Sequence, residues 1–325
     1  MRLVFYRTGA IGDIIHTLPA LKFIKEQNPS CRLDLVIRTK PVKELLDLYA
    51  PYIDNTYNVG NKLAEEKELL VSLKEEPCDE FIYLHSNWWR GLFFNFKYFK
   101  AKKFKPYKKD LSLSSRHNFL TAYDPNLKSD LMRGSLVLDH KVLYSSELSN
   151  EKYLVVVPGV GKLRPQRAYP LKEWMIFIKR VIAETDYDVK ILGGPDEIDL
   201  SLELSLAMKL RSKENTRIEN LIGKLSLIDS AKVLAKADRV YSGDTGLLHI
   251  ASALGKETKS FYTVTSEFRT GPFSPLGEVL RSESCKCKDL NNFHDNKTKC
   301  KYLTVTGLPR CVEELKFTSD QSEKV

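Results

Sequence analysis

Tyr153-Leu-Val-Val-Val157 is an uninterrupted apolar run that ends in Pro158-Gly-Val-Gly161. A strand with no polar side must be covered on both faces, as in a parallel sheet sandwiched between helices. The residues beyond it fit that arrangement. Tyr169-Pro170-Leu171 leads into a helix over 172–184 whose apolar stripe is Trp174, Phe177, Ile178 and Val181. The chain opens in the same order. Leu3-Val-Phe-Tyr6 is a short apolar strand, Arg7-Thr-Gly-Ala-Ile-Gly-Asp13 is a glycine-bearing turn, and Ile11, Ile14, Ile15, Leu18 and Leu21 line one face of a helix. Pro19 either kinks that helix or opens a second segment, with Thr17 near its cap.

Strands at 32–37, 57–59, 81–84 and 136–143 continue the first half, with helices at 43–49 and 62–74. The second half continues with strands at 189–192, 220–223, 239–243 and 259–262, helices at 197–211 and 227–235, and a loop over 263–272. Alternation of this kind implies α/β architecture with mostly parallel sheets and right-handed crossovers. A length of 325 residues accommodates two domains. The polar stretch 144–151 is the linker, giving domains 1–147 and 148–325, two α/β units with their strand ends facing across a cleft.

The candidate chemistry lies just past the strands, where open α/β sheets bind ligands. Asp13 falls in the first turn of its helix, off the buried stripe. There it either complements the helix dipole or serves as a general base. In the second half, Asp244-Thr-Gly246 opens a helix whose stripe is Leu247, Ile250, Ala251 and Leu254. A helix N-terminus of this kind holds a phosphate or is an ordinary cap. Gly159, Gly161 and Arg167 share that edge. Gly159-Val-Gly161 lacks the third glycine of the dinucleotide fingerprint, which gives NAD binding little support. A base opposite an anion site suits group transfer from a phosphate-activated donor.

The formal net charge is +9, and the excess is concentrated. Residues 90–116 hold Arg90, Lys97, Lys100, Lys102, Lys103, Lys105, Lys108, Lys109 and Arg116 against one acid, Asp110, with seven aromatic residues interleaved. Three readings stand: a nucleic-acid surface, an anionic membrane or glycolipid surface, and a solvated face over an aromatic core. No apolar run approaches the roughly 20 residues of a membrane helix, and the N-terminus lacks a signal-peptide core, so the chain is read as cytoplasmic. Cys31 and Cys78 border strands and are expected to be buried thiols. Cys285, Cys287, Cys300 and Cys311 cluster near the C-terminus. They form either a tetrahedral metal site or a set of unligated thiols, and their spacing is not that of a zinc ribbon.

Taken together and in order, several short motifs resemble glycosyltransferase family 9, the ADP-heptose:lipopolysaccharide heptosyltransferases. They are Gly12-Asp13-Ile-Ile-His-Thr-Leu-Pro19, Arg167-Ala-Tyr-Pro170 with Trp174, Leu192-Gly-Gly-Pro195, Asn220-Leu-Ile-Gly-Lys224, Asp244-Thr-Gly-Leu-Leu-His249 and Thr270-Gly-Pro272. The resemblance runs from residue 1 to about residue 315. It implies the GT-B fold, an N-terminal acceptor domain and a C-terminal nucleotide-sugar domain. It also implies inverting transfer of a heptose from ADP-heptose to an acidic core sugar, with no cofactor required. By position, Asp13 matches the catalytic base, and Asp244, Thr245, Gly246 and His249 match the donor turn. Arg167 stands where the family usually has Lys. Arg7 and Thr8 replace a usual Lys and Ser, and with Arg90 and Lys97 they are the expected acceptor contacts. The expected partners are a nucleotide sugar and an anionic glycolipid, with peripheral contact at the inner membrane and no nucleic acid. Relatives associated with bound metal make structural zinc or iron one reading of the C-terminal cysteines.

Overall fold

The computed structural model describes residues 1–60, 67–108, 114–127, 137–139, 151–161, 167–208, 216–263 and 265–281. The chain divides into two compact units, Met1–Val142 and Leu143–Val325.

In the first unit, β1 (Arg2–Tyr6), β2 (Arg32–Ile37), β3 (Asn55–Asn58), β4 (Glu80–Tyr83) and β5 (Lys103–Pro106) form a sheet in the order β3-β2-β1-β4-β5. Every pairing is parallel, with Phe5 level with Leu35 on one side and Ile82 on the other. The helices are α1 (Ile11–Ile15), α2 (Leu18–Gln27), α3 (Lys40–Tyr49), α4 (Lys67–Glu75), α5 (Trp88–Phe94) and α6 (Ser115–Tyr123), with a π-helical turn, Asn95–Phe99, continuing α5. Pro19 opens a second segment rather than kinking one helix, and Thr17 is the cap residue of α2. Proline lacks the N–H that a first-turn position does not need. Alternate residues of β1 point to opposite faces. Val4 and Tyr6 pack with Leu69, Leu73, Phe94 and Phe99, while Leu3 and Phe5 are equally buried on the other face. Cys31 and Cys78 are buried thiols, and burial pushes Cys78 up to about 12.

In the second unit, β6 (Tyr153–Val157), β7 (Asp188–Ile191), β8 (Ile218–Asn220), β9 (Arg239–Gly243), β10 (Glu257–Phe261) and β11 (Gly277–Leu280) run parallel in the order β11-β10-β9-β6-β7-β8. Helices α7 (Leu171–Glu184), α8 (Ile198–Ala207), α9 (Leu227–Lys236), α10 (Gly246–Ala253) and α11 (Glu267–Thr270) cover it. All four expected stripe residues of α7 are buried, in one cluster with Leu154, Val156, Ile191 and Tyr241.

Both sheets are doubly wound, as the alternation implies. Three local expectations differ. Residues 103–106 and 277–280 are strands at one edge of the first and of the second sheet respectively, each only four residues long and so too short for periodicity to mark. Val137–Asp139, the described part of the strand expected at 136–143, lies outside both sheets. It is held by Asp139 N–H to Tyr49 O and by Tyr52 O–H to Val137 O. Of the stripe expected in α10, Ile250, Ala251 and Leu254 are buried, but Leu248 is buried in place of Leu247, which is only partly covered. The helix is enclosed almost all round, so its sequence periodicity does not single out one face.

The first strand is tied down by a buried ion pair. Arg2 and Asp34 have fully buried side chains and lie 2.6 Å apart. The same guanidinium donates to Ser72 O at 2.7 Å and to Glu76 O, carbonyls at the C-terminal end of α4 where a cation is favoured. Asn55 Nδ2 and Arg32 Nε donate to the second oxygen of Asp34. Removing one member of such a pair leaves a buried charge without its partner. Asp34→Ala is therefore expected to cost about 3–5 kcal/mol. Urea unfolding measures this, and a loss below about 1 kcal/mol would mean that the pair does not anchor the sheet.

Candidate active site

In each sheet the winding direction reverses beside the first strand of the unit. β1 lies between β2 and β4, and β6 lies between β9 and β7. Ligands bind at such switch points, at the carboxyl ends of the strands. The loops at these two positions carry most of the residues singled out from sequence.

At the first switch point, the loop after β1 leads into α1. Arg7 Nη2 meets Asp13 Oδ1 at 2.9 Å, and Ala10 N–H donates to Asp13 Oδ2 at 3.1 Å. Arg7 is itself held by Leu84 O at 2.6 Å, at the end of β4. The Asp13 side chain keeps 43% of its surface exposed. A carboxylate offers about four acceptor positions; two are engaged here, so the group is oriented yet open to a proton. Gly9 permits this approach, because a Cβ there would lie 2.7 Å from Asp13 Cβ and 2.8 Å from Oδ2. Thr8 N–H donates to His85 Nε2 at 2.9 Å. That bond makes Nε2 the acceptor and puts the imidazole proton on Nδ1. Burial, followed by the charge of Arg7, pushes His85 down to about 4. His85 is a functional candidate that motif reading passed over; its signal was its position at the end of the fourth strand.

The expected acceptor contacts separate. Arg7 and Thr8 adjoin Asp13, and Arg90 on α5 is near enough to His85 to act on its charge. Lys97 instead lies over the rings of Phe93 and Tyr98, at 5.5 and 5.4 Å.

At the second switch point, Asp244 follows β9 and is buried. Its Oδ2 meets Arg167 Nη1 at 2.8 Å and accepts from Thr265 Oγ1 at 2.8 Å, while Oδ1 lies 3.2 Å from His249 Nε2. Burial works to raise its pKa, but the His249 bond, the Arg167 charge and the Thr265 hydroxyl together hold it below the usual carboxylate value. Arg167 and Asp244 were expected as separate contacts to one ligand; here they are ion-paired. Thr245 caps α10, accepting from Leu248 N–H at 3.2 Å. His249 N–H turns to Thr245 O. Among the described residues this leaves the N–H groups of Gly246 and Leu247 directed outward at the helix start.

Gly159 and Gly161 do not form an open cradle. Glu197 Oε1 accepts from Gly161 N–H at 2.8 Å and Oε2 from Gly194 N–H at 2.9 Å. A Cβ on Gly159 would fall 1.9 Å from Oε1. The loop is glycine because a carboxylate fills it, and burial raises the pKa of that carboxylate. Glu197 was missed in the sequence. Its only signal was an acid three residues beyond Gly193-Gly194, which any 3₁₀ turn could carry. Lys162 and Arg164, the cations that precede Arg167 in the sequence, lie outside the described residues, as do Cys285, Cys287, Cys300 and Cys311. Among the described residues no group of three or more His, Cys, Asp or Glu side chains could hold a metal ion, and no helix is long and apolar enough to cross a membrane.

The model of glycosyltransferase family 9 (heptosyltransferase) matches residues 90–301. Lipooligosaccharide heptosyltransferase 2 of Haemophilus influenzae is 21% identical over 311 residues, covering 86% of this chain and 88% of that protein. Among solved structures, the E. coli ADP-heptose lps heptosyltransferase II superposes with a TM-score of 0.70 at 18% identity, covering 88% of this chain and 92% of the other. The E. coli heptosyltransferase WaaC with ADP gives 0.67 at 19% identity, covering 91% and 97%. These likenesses define the class, a glycosyltransferase fold of the GT-B type with two Rossmann-like domains. The chain belongs to glycosyltransferase family 9, the heptosyltransferase family, and is an enzyme of glycosyl transfer. The family match begins at residue 90, so Asp13 stands outside it.

Two measurements probe these sites. Arg167→Ala leaves the Asp244 carboxylate buried without its cation, so unfolding free energy should fall by about 3–5 kcal/mol even without ligand; unchanged stability would show that Thr265 and His249 suffice. His85 gives a pH signature. Between about pH 6.5 and 4 an unfolded His85 binds a proton and the folded one does not. Stability therefore falls as pH is lowered through that window, by up to about 1.4 kcal/mol per pH unit. Denaturation at pH 7 and pH 4.5 should show a smaller pH-induced loss in His85→Gln than in the parent; equal losses would exclude the effect.

Proposed function

We propose that the protein transfers a heptose from ADP-heptose to an acidic sugar of a lipopolysaccharide core, with inversion and with Asp13 as the general base. The observation that carries this reading is the half-exposed Asp13 carboxylate, fixed by Arg7 and Ala10 at the first switch point. Family membership supports heptose transfer. The heptosyltransferase WaaC was solved with ADP and with ADP-2-deoxy-2-fluoro heptose, which supports the donor.

In this reading Asp13 accepts the proton of an acceptor hydroxyl as its oxygen attacks the anomeric carbon and the bond to the diphosphate oxygen breaks. Charge developing on the departing diphosphate is met by the N–H groups of Gly246 and Leu247 and by the N-terminal end of the α10 dipole. Arg167 supplies positive charge beside that turn, and its bond to Asp244 preorganises it. Glu197 stands at the end of the second strand of its unit. Dinucleotide-binding folds keep the acid that accepts ribose hydroxyls in the corresponding place. A carboxylate there suits hydroxyls and repels phosphate, so the diphosphate belongs at α10 rather than at Gly159 and Gly161. Arg7, Thr8 and Arg90 would meet the acidic acceptor. The enzyme would work in the cytoplasm, with a peripheral contact at the inner membrane. The C-terminal cysteines enter no step of this scheme.

Mass spectrometry of products after incubation with a panel of nucleotide sugars and a deacylated core acceptor tests the donor. A heptosyl increment from ADP-heptose alone is expected; transfer only from another nucleotide sugar would replace the donor. Asp13→Asn should lower turnover by about 10²–10⁴-fold and leave ADP affinity in calorimetry unchanged. Near-normal turnover in a folded Asp13→Asn variant would remove the base from the mechanism.

A further inference from the structure

α5 and the π turn after it present two apolar faces. The inner one is accounted for. Gly91 rests on Tyr83 so closely that a Cβ would meet its ring at 2.5 Å, Phe94 packs 5.4 Å from Tyr6, and Phe99 stacks on Phe81 at 4.0 Å. The outer one is not covered. Trp89 is 67% exposed and Phe96 83%, with Phe93, Leu92 and Trp88 also exposed between and beside them. Trp89, Phe93 and Phe96 are spaced by four and three residues, which puts them on one side of the helix. Single exposed hydrophobic residues are ordinary, but a contiguous group on one face marks an interaction surface.

The charge around this face is selective. Lys97 lies over the exposed ring of Phe93 and Lys100 is exposed just after the π turn, and neither meets a carboxylate among the described residues, whereas Arg90 turns inward over Phe94 at 5.2 Å. Residues 85–100 contain no Asp or Glu. By contrast Lys102 pairs with Asp79 at 2.7 Å, and Lys103 and Lys105 pair with Glu80 at 3.3 and 2.6 Å. Lys97 and Lys100, beside the apolar face, have no such partner among the described residues.

We infer that the face formed by Trp88, Trp89, Leu92, Phe93 and Phe96 docks on an anionic phospholipid bilayer, the rings entering the interfacial region and Lys97 and Lys100 meeting the headgroups. Tryptophan is favoured at that boundary because its ring is apolar and its N–H is polar. A helix with an aromatic face and cationic flanks lies in the plane of the interface. Single-stranded nucleic acid also uses rings and cations. It needs a cationic track along its backbone, however, and two uncompensated cations beside an aliphatic Leu92 make a poor one. The inference does not depend on the sugar donor or on Asp13.

The test is co-sedimentation of the full chain with vesicles of phosphatidylcholine alone or mixed with phosphatidylglycerol. Binding to the anionic vesicles, reduced by added salt, is expected, with a blue shift of tryptophan emission. Trp174 is fully buried, so the shift reports Trp88 and Trp89. The double variant Trp89→Ser with Phe96→Ser should lose at least about tenfold in partitioning. Both positions are exposed, so its thermal midpoint and its transfer to a water-soluble acceptor should match the parent. Absence of binding to anionic vesicles overturns the proposal. So does undiminished binding by the double variant, or binding to a single-stranded oligonucleotide without binding to vesicles. Since transfer is measured on a soluble acceptor, failure of docking and failure of the proposed reaction are read separately.

Discussion

Everything that positions chemistry in this protein depends on parallel strands wound outward in both directions from a central first strand. Parallel pairing sends all carboxyl ends to one edge, and right-handed crossovers force the loops apart where the winding reverses. β1 with β4, and β6 with β9, are the pairs where that happens. The loops after these strands carry Asp13, His85, Gly159 and Asp244. A central strand needs a firm anchor, and for β1 it is Arg2, which joins the sheet to Asp34 and to the last carbonyls of α4.

The two sites use the same pair of residue types to opposite ends. Arg7 and Asp13 meet at 2.9 Å, Arg167 and Asp244 at 2.8 Å. What separates them is water. Asp13 keeps two-fifths of its surface and has acceptor positions in reserve, so Arg7 orients it without closing it off. Asp244 is enclosed, and Arg167, Thr265 and His249 all engage its two oxygens. A carboxylate satisfied in that way does not take up a proton easily. It fixes the direction of a guanidinium and the start of a helix. Glu197 is a third case, a carboxylate that fills a glycine loop and thereby turns an anion cradle into a hydrogen-bond acceptor.

The architecture was legible because buried parallel strands must be apolar on both faces, and Tyr153-Leu-Val-Val-Val157 and the α7 stripe leave little choice. Asp13, Arg167 and Asp244 were legible as positions, since each sits just past a strand or in the loop behind one. Their relations were not. That Arg167 binds Asp244 rather than a separate point of the ligand depends on two loops 77 residues apart, and no local pattern encodes it. Glu197 was invisible for the same reason, as the glycine loop it fills follows another strand. β5 and β11 escaped because edge strands are partly exposed and lose the apolar signature that periodicity reads.

The basic-aromatic segment shows how structure resolves what composition cannot. Over residues 90–116 composition alone leaves three readings standing, because it sums cations that do different jobs. Folding sorts them. Lys102, Lys103 and Lys105 flank or lie on β5 and neutralise Asp79 and Glu80, so they belong to the sheet edge. Phe94, Phe99 and Phe104 belong to the core or its margin. Within residues 88–100 this leaves Trp88, Trp89, Leu92, Phe93 and Phe96 exposed with Lys97 and Lys100, on one short helix and its π turn, while Arg90 lies over Phe94. The extra residue of a π turn shifts the helical register beyond it, which lets Phe99 return to the core while Phe96 stays outside. The apolar surface remaining is therefore a separate face set by helix geometry, not an overflow of the core.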